Sequence, residues 1–220
     1  MPLEVAKKWK QKYGIDIWEG YGLSEATTVN CGNIAGRRPP KYGSIGLCYQ
    51  KFNTIKIFDD KDRELPTGET GELVIKGPGV MKGYWNKPAE TAEAIRNGWL
   101  HTGDIGHIDE DGYIFITDRK KDMIISGGEN IFPREIENIL YQHHAVLEAG
   151  VIGIPDSVYG EVVKAFVVLK SASEATVEEL MNYCTEQLPK YKRPKAIQLM
   201  DALPKSAVGK ILRRELRKLS

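Results

Sequence analysis

Asp118-Arg119-Lys120-Lys121-Asp122-Met123-Ile124-Ile125-Ser126-Gly127-Gly128-Glu129-Asn130-Ile131-Phe132-Pro133-Arg134-Glu135-Ile136-Glu137 packs a charged run, a short apolar run, two glycines and a helix start into twenty residues. Met123 to Ile125 suits a buried strand. Gly127-Gly128 supplies a turn free of Cβ clashes, and Pro133 stands where a helix begins, its missing N–H being no loss in a first turn. Ile136, Ile139 and Leu140 then recur at helical spacing, which predicts an amphipathic helix over 133–142. A charged segment, a strand, a turn and a helix in this order read as a hinge near residues 119–122.

Upstream, Leu3, Val5, Ala6 and Trp9 among lysines predict a surface helix over 2–13, ending near Gly14, with a short strand from Ile15 to Trp18 and a loop from Gly20 to Glu25. Lys51 to Phe58 and Leu73 to Ile75 read as strands. Asp109-Glu110-Asp111-Gly112 is a hairpin turn between His107-Ile108 and Tyr113 to Ile116. Downstream of the hinge the pattern continues with strands over Ala149–Ile154 and Val162–Leu169, a helix over 176–188, a strand over Ala196–Leu199 and a basic helix from Ile211. Thr176-x-x-Glu179 is a capping box, and Val177, Leu180, Met181, Cys184 and Leu188 share one apolar face. The expected fold class is α/β to α+β: β-rich ground over 1–118, then a small α+β domain over 119–220.

With 220 residues, 41% hydrophobic and 28% charged, the chain has the composition of a globular protein of one or two domains. A net charge of +1 gives no reason to invoke nucleic acid or an anionic membrane surface as a partner. Cys31, Cys48 and Cys184 are far apart and lack a Cys-x-x-Cys spacing, which argues against a disulfide framework or a zinc site and points to a reducing, cytoplasmic setting. His143 and His144 are adjacent, so a helix would send them to different faces, and no protein metal site is expected from them. The N-terminus has no apolar core of signal-peptide length, and runs such as Ala165 to Leu169 are too short to span a bilayer.

The hinge string resembles the junction between the large and small domains of the adenylate-forming (AMP-binding) superfamily, which includes acyl-CoA synthetases, firefly luciferase and peptide-synthetase adenylation domains. Gly20-Tyr21-Gly22-Leu23-Ser24-Glu25, Gly71-Glu72-Leu73, Gly83-Tyr84-Trp85, Thr102-Gly103-Asp104 and Pro204-Lys205-Ser206-Ala207-Val208-Gly209-Lys210 resemble further motifs of that family, in the family's order. The resemblance implies that residues 1–118 are the C-terminal remnant of the large domain and that 119–220 are the small mobile domain. The Ser/Thr/Gly-rich phosphate loop that relatives carry upstream has no match here, so the chain on its own is expected to be inactive.

The same resemblance assigns roles. Tyr21, between Gly20 and Gly22, would offer its ring to adenine, with Ile116 covering the opposite face. Ser24 would donate to a phosphate oxygen, and Glu25 would bind the Mg²⁺ that accompanies ATP. Asp104, expected as an exposed loop residue after Gly103, would accept from the ribose hydroxyls with Arg119 beside it. Lys210, in a segment expected to be flexible, would bridge the carboxylate and the α-phosphate as catalytic lysine. Lys205 reads as a surface residue, and Arg213, Arg214, Arg217 and Lys218 as a solvated helix face. Lys121 would be the pivot, and Ser126, Gly127 and Gly128 would line the tunnel for CoA. The implied activity is that of part of an ATP-dependent acyl-CoA ligase using ATP, Mg²⁺, CoA and a carboxylic acid, of the medium- or long-chain fatty acid type. The alternatives are an aryl-CoA ligase, a luciferase-like relative, or a non-catalytic nucleotide-binding or docking module.

Overall fold

The computed structural model describes residues 3–27, 29–34, 38–49, 53–171, 173–207 and 209–220. The chain forms two compact units, Met1–Lys120 and Lys121–Ser220, of mixed α/β structure.

In the first unit, helix α1 (Leu3–Tyr13) buries only Ala6 and leaves Trp9 and Tyr13 at the surface. The strand expected over Ile15–Trp18 is absent. Ile15 and Trp18 are exposed and the segment is irregular, with Glu19 alone giving a carbonyl to Asn33 N at 2.9 Å, so pairing begins only at Gly20. The first half of the expected Gly20–Glu25 loop is therefore strand β1 (Gly20–Gly22), antiparallel to β2 (Val29–Gly32), which pairs β3 (Leu47–Cys48); Ser24–Ala26 is a 3₁₀ turn. A five-stranded sheet holds β4 (Thr54–Phe58), β5 (Gly71–Lys76), helix-preceded β6 (Ile95–Arg96), β7 (Trp99–Ile108) and β8 (Ile114–Arg119), with α2 (Pro88–Ala94) leading into β6. Lys51 and Phe52 of the strand expected there lie outside the described residues. Alternate residues of β4 and β5, Ile55, Ile57, Leu73 and Ile75, meet Leu100 and Ile114 in the core, as a half-buried sheet requires. The turn at Asp109–Gly112 joins β7 to β8 in antiparallel register.

The second unit opens on a hairpin, β9 (Ile124–Ser126) and β10 (Glu129–Ile131), closed by Gly127 and Gly128. Their φ values of +58° and +87° explain the glycine pair, since a two-residue turn with both φ positive matches the twist of the strands. Helix α3 (Pro133–Gln142) follows, then β11 (Val146–Asp156), β12 (Gly160–Leu169), α4 (Val177–Gln187), β13 (Ala196–Leu199) and α5 (Arg213–Leu216). The sheet order is β10-β9-β12-β11, with β13 parallel to β12. Thr176 Oγ1 accepts from Glu179 N at 3.1 Å, which caps α4 as the capping box predicts. Val177, expected on the apolar face of α4, sits in its first turn and is exposed instead.

β12 faces two ways. Val163, Ala165 and Val167 pack with Ile136, Leu140, Leu180 and Cys184 of α3 and α4, whereas Phe166 and Val168 pack with Ile152, Leu203 and Leu216 on the other side. This second cluster packs the C-terminal segment that carries Lys210 onto the sheet through Leu203 and Leu216. The basic helix expected from Ile211 is a single turn of α5 followed by a 3₁₀ turn over Arg217–Leu219. One of its cations is withdrawn from solvent: Arg213 forms a fork to both oxygens of Glu137 at 3.0 and 2.9 Å, whereas Arg217, whose Nη2 reaches Asp122 Oδ1 at 3.1 Å, stays exposed like Arg214 and Lys218. A guanidinium that finds buried carboxylates gives up water for bidentate partners, which overrides the solvated-face expectation.

Phe166→Ala should remove about 3–5 kcal/mol from the unfolding free energy, because a fully buried ring leaves a cavity. Urea unfolding followed by circular dichroism checks this, and a loss below about 1 kcal/mol would mean that the second cluster is not a packed core.

Candidate functional site

Three candidate residues of the first unit, Tyr21, Asp104 and Arg119, meet at a break in the pleat of β7. Glu72 pairs with Ile105, but Val74 pairs with His101, so β7 carries extra residues opposite Leu73 and Thr102–Asp104 bulges out of the ladder. Gly103 takes φ +72° there and donates its N–H to Glu72 Oε1 at 3.0 Å. Thr102 Oγ1 donates to Leu73 O at 2.9 Å and accepts from Asp104 N at 3.1 Å, which closes the bulge and turns the next side chain inward.

That side chain is Asp104, and it is not the exposed loop carboxylate the sequence suggested: it lies inside a strand and is 4% exposed. The bulge re-aims it, and two neighbours enclose it. Tyr21 Oη on β1 donates to Asp104 Oδ2 at 2.6 Å, and Arg119 Nε donates to Oδ1 at 3.0 Å. Asp104 and Arg119 stand directly opposite in the β7–β8 register, so the sheet itself sets their separation. Burial, and then the Asp104 carboxylate, push the Tyr21 phenol well above its ordinary value, which fixes it as a hydrogen-bond donor. Each carboxylate oxygen keeps a lone pair beyond the one so engaged. Arg119 is 55% exposed at its side chain, so the node has a buried anion at its base and a cation at its rim.

A second, smaller group sits on the 3₁₀ turn after β1. Ser24 is exposed and Glu25 half-buried, and Glu25 Oε1 accepts from Tyr84 Oη at 3.0 Å. Burial and the Glu25 charge raise the Tyr84 phenol. The backbone carbonyl of Glu25 accepts from Met81 N at 2.7 Å, tying the turn to the Gly83-Tyr84-Trp85 segment. Glu25 Oε2 is left as a hard oxygen donor of the kind Mg²⁺ takes, which suits an ion that keeps most of its waters. Ile116 on β8 is half-buried and, like Tyr21, packs against the core of this unit.

In the second unit, Lys210 is exposed and its backbone pairs with that of Ser206. Ser206 N donates to Lys210 O at 2.8 Å, Lys210 N donates to Ser206 Oγ at 3.2 Å, and Lys205 bridges Ile211 across the base. Val208 lies outside the described residues. Lys205 Nζ is paired with Glu148. Ser126 ends β9, and Gly127 N donates to Tyr159 O at 2.8 Å. The Gly127–Gly128 turn and Lys210 are on separate elements. Lys121 is exposed within a 3₁₀ turn, Lys120–Asp122, that the sequence did not announce.

Sequence reasoning missed the supports: Thr102, Glu72 and Tyr84 lie in motifs that stood out without a role. It also misplaced the histidines. Helix α3 ends at Gln142, so His143 and His144 leave helical geometry, their rings lie 4.6 Å apart, and with Glu179 they form the one group among the described residues whose ligand atoms could converge on a metal ion. The Lys170 ammonium, bonded to His144 O, and the N-terminus of α4 both oppose a cation there.

Residues 1–85 match the AMP-binding enzyme family, and residues 135–210 match the AMP-binding enzyme C-terminal domain. The long-chain-fatty-acid–CoA ligase of Bacillus subtilis is 52% identical over 218 residues, which are 98% of this chain and 38% of that protein. A 2-succinylbenzoate–CoA ligase of Bacillus mycoides is 45% identical over 94% of this chain and 42% of its own length. The crystal structure of ATP-bound MatB from Rhodopseudomonas palustris superposes with a TM-score of 0.94 at 34% identity, covering 99% of this chain and 43% of that one. The chain thus spans about two fifths of the proteins it matches. Both matches fall in order on one polypeptide, and they span the Tyr21 and Lys210 segments; the chain belongs to the AMP-binding enzyme family, and its sequence is of the acyl-CoA synthetase kind.

Proposed function

We propose that this chain carries the ribose-holding and catalytic-lysine parts of an ATP-dependent acyl-CoA ligase. In that reaction a carboxylate attacks the α-phosphate of ATP, forming acyl-AMP and releasing pyrophosphate; the CoA thiol then attacks the acyl carbon, forming the thioester and releasing AMP. The observation that carries the reading is the Asp104 node, a buried anion with free lone pairs, fixed by Tyr21 and Arg119. Two vicinal hydroxyls match such an acceptor, and a fixed acceptor loses little entropy when they bind.

In this scheme Tyr21 and Ile116 flank the adenine while Gly20 and Gly22 let the backbone approach it. Ser24 donates to a phosphate oxygen, and Glu25 holds Mg²⁺, which when bound neutralises phosphate charge. Lys210 supplies a positive charge between the carboxylate and the α-phosphate, where negative charge shifts in the transition state. The turn at Ser126, Gly127 and Gly128 leaves room for the narrow pantetheine arm of CoA, and the second unit reorients about Lys121 between the two half-reactions. A fatty acid of medium or long chain is the preferred substrate, since identity to the fatty-acid ligase exceeds that to the 2-succinylbenzoate ligase. The aryl-CoA reading is the second choice on that ground. Three free cysteines suit a cytoplasmic setting, and among the described residues no helix is long and apolar enough to cross a membrane.

Exchange of labelled pyrophosphate into ATP by the full-length protein tests the substrate class: dodecanoate and hexadecanoate should support it, and exchange with 2-succinylbenzoate alone would reject the fatty-acid assignment. In the same protein, Lys210→Ala should slow acyl-AMP formation by about 10² to 10³, or roughly 3–4 kcal/mol, while supplied acyl-AMP is still converted to acyl-CoA. An equal loss in both half-reactions would remove Lys210 from the adenylation step.

A further inference from the structure

The spacing of the cysteines argues against a framework disulfide, yet the three-stranded sheet brings two of them face to face. Its register sets Tyr21 of β1 opposite Cys31 of β2, and Cys31 opposite Cys48 of β3, so the three side chains stand in one row on one face. That face is the apolar one: Cys31 belongs to the core of the first unit, and Tyr21 and Cys48 pack against it. Tyr49 N donates to Asn30 O at 3.1 Å, just outside the two cysteines, which makes Cys31 and Cys48 a non-hydrogen-bonded pair. In such a pair the Cα atoms lie about 4.5 Å apart and the side chains are at their closest. A disulfide spans Cα separations of about 4.4–6.8 Å, so one can close here with little movement of the backbone.

The two thiols are not equivalent. Cys31 is buried, whereas Cys48 is half-buried and its thiol donates to Asn53 O at 3.2 Å. Burial pushes both thiols up, which keeps them protonated and slow to react at neutral pH. An oxidant arriving from solvent meets Cys48 first, and Cys31 behind it is placed to resolve what forms there. Cys184 is buried on helix α4 of the second unit.

We propose that Cys31 and Cys48 are a redox modification site, a dithiol that hydrogen peroxide closes into a disulfide between β2 and β3, and that its closure is felt at Tyr21. The Cys48 thiolate attacks one peroxide oxygen; the S–O bond forms, the O–O bond breaks, and the departing hydroxide takes up the proton the thiol lost. The Cys31 thiolate then attacks the sulfur of that sulfenic acid, forming the S–S bond and expelling a second hydroxide, which takes up the Cys31 proton. Two electrons pass from the sulfurs to the peroxide oxygens, and the net products are the disulfide and two waters. Because Cys31 stands directly opposite Tyr21, drawing its sulfur toward Cys48 changes the packing of the ring whose hydroxyl donates to Asp104.

Peptide mapping of the 220-residue chain tests it, with hydrogen peroxide raised stepwise until Cys184 oxidises, remaining thiols alkylated in denaturant, and digestion without reductant. A cross-linked peptide joining Cys31 to Cys48 should appear before Cys184 is modified, and dithiothreitol should remove it. The carbon-13 signals of the Tyr21 ring should shift on closure and return on reduction, while those of Tyr183 stay in place. Cys31→Ala should stop at the sulfenic acid of Cys48 or its further oxidation products, and circular dichroism reports that this variant is folded. Recovery of Cys31 and Cys48 as thiols once Cys184 has oxidised, or oxidation of Cys48 without the cross-link, would overturn the site. So would the same mixture of pairings from the folded and the guanidinium-unfolded chain, since the register would then select nothing. A closed disulfide with an unmoved Tyr21 signal would overturn its link to the Asp104 node.

Discussion

A carboxylate removed from water must be met by donors, or the fold cannot keep it charged, and Asp104 is the place where this chain accepts that constraint. Its two partners come from different sheets of the first unit, Tyr21 from the three-stranded sheet and Arg119 from the five-stranded one. Satisfying one anion therefore holds two sheets in register with each other. The bulge at Thr102–Asp104, the glycine that permits it and the Glu72 acceptor beneath it all serve the same placement.

Where sequence and structure agree, the signal was periodic or stereochemical. Proline at the first turn of α3, the cap of α4, the alternating strands β11 and β12 and the turn at Asp109–Gly112 each follow from a local rule, and those rules act within a few residues. Where they part, a distant group decided. Ile15–Trp18 has strand-like residues but, among the described residues, no strand pairs with it. Asp104 looks like a loop residue because Gly103 precedes it, yet pairing with Arg119 on β8 keeps it in a strand, where it is buried. Arg213 looks like part of a solvated stripe because nothing in its own segment reveals Glu137 and Asp122, 76 and 91 positions earlier.

The candidate site was legible as a set of positions rather than as an arrangement. Tyr21, Asp104 and Arg119 were identifiable through the motifs that contain them, but the expected contribution of Tyr21 was its ring, and the hydroxyl bond to Asp104 came only with the structure. Glu25 was singled out without Tyr84, its hydrogen-bond donor. Lys210 was legible as a position, but its backbone bond to the Ser206 hydroxyl and the packing of Phe166 with Leu203 and Leu216 on either side of its segment came only with the structure.

The central claim is that the Asp104 node holds the sugar of an adenine nucleotide. Carbon-13 spectra of the side-chain carboxyls and tyrosine rings, taken during titration of this chain with AMP, address it directly. The account predicts that the Asp104 carboxyl and Tyr21 ring signals shift together and saturate, while Asp156 and Tyr183, which lie in the second unit, stay in place. Saturable AMP binding that leaves Asp104 and Tyr21 unmoved would contradict it.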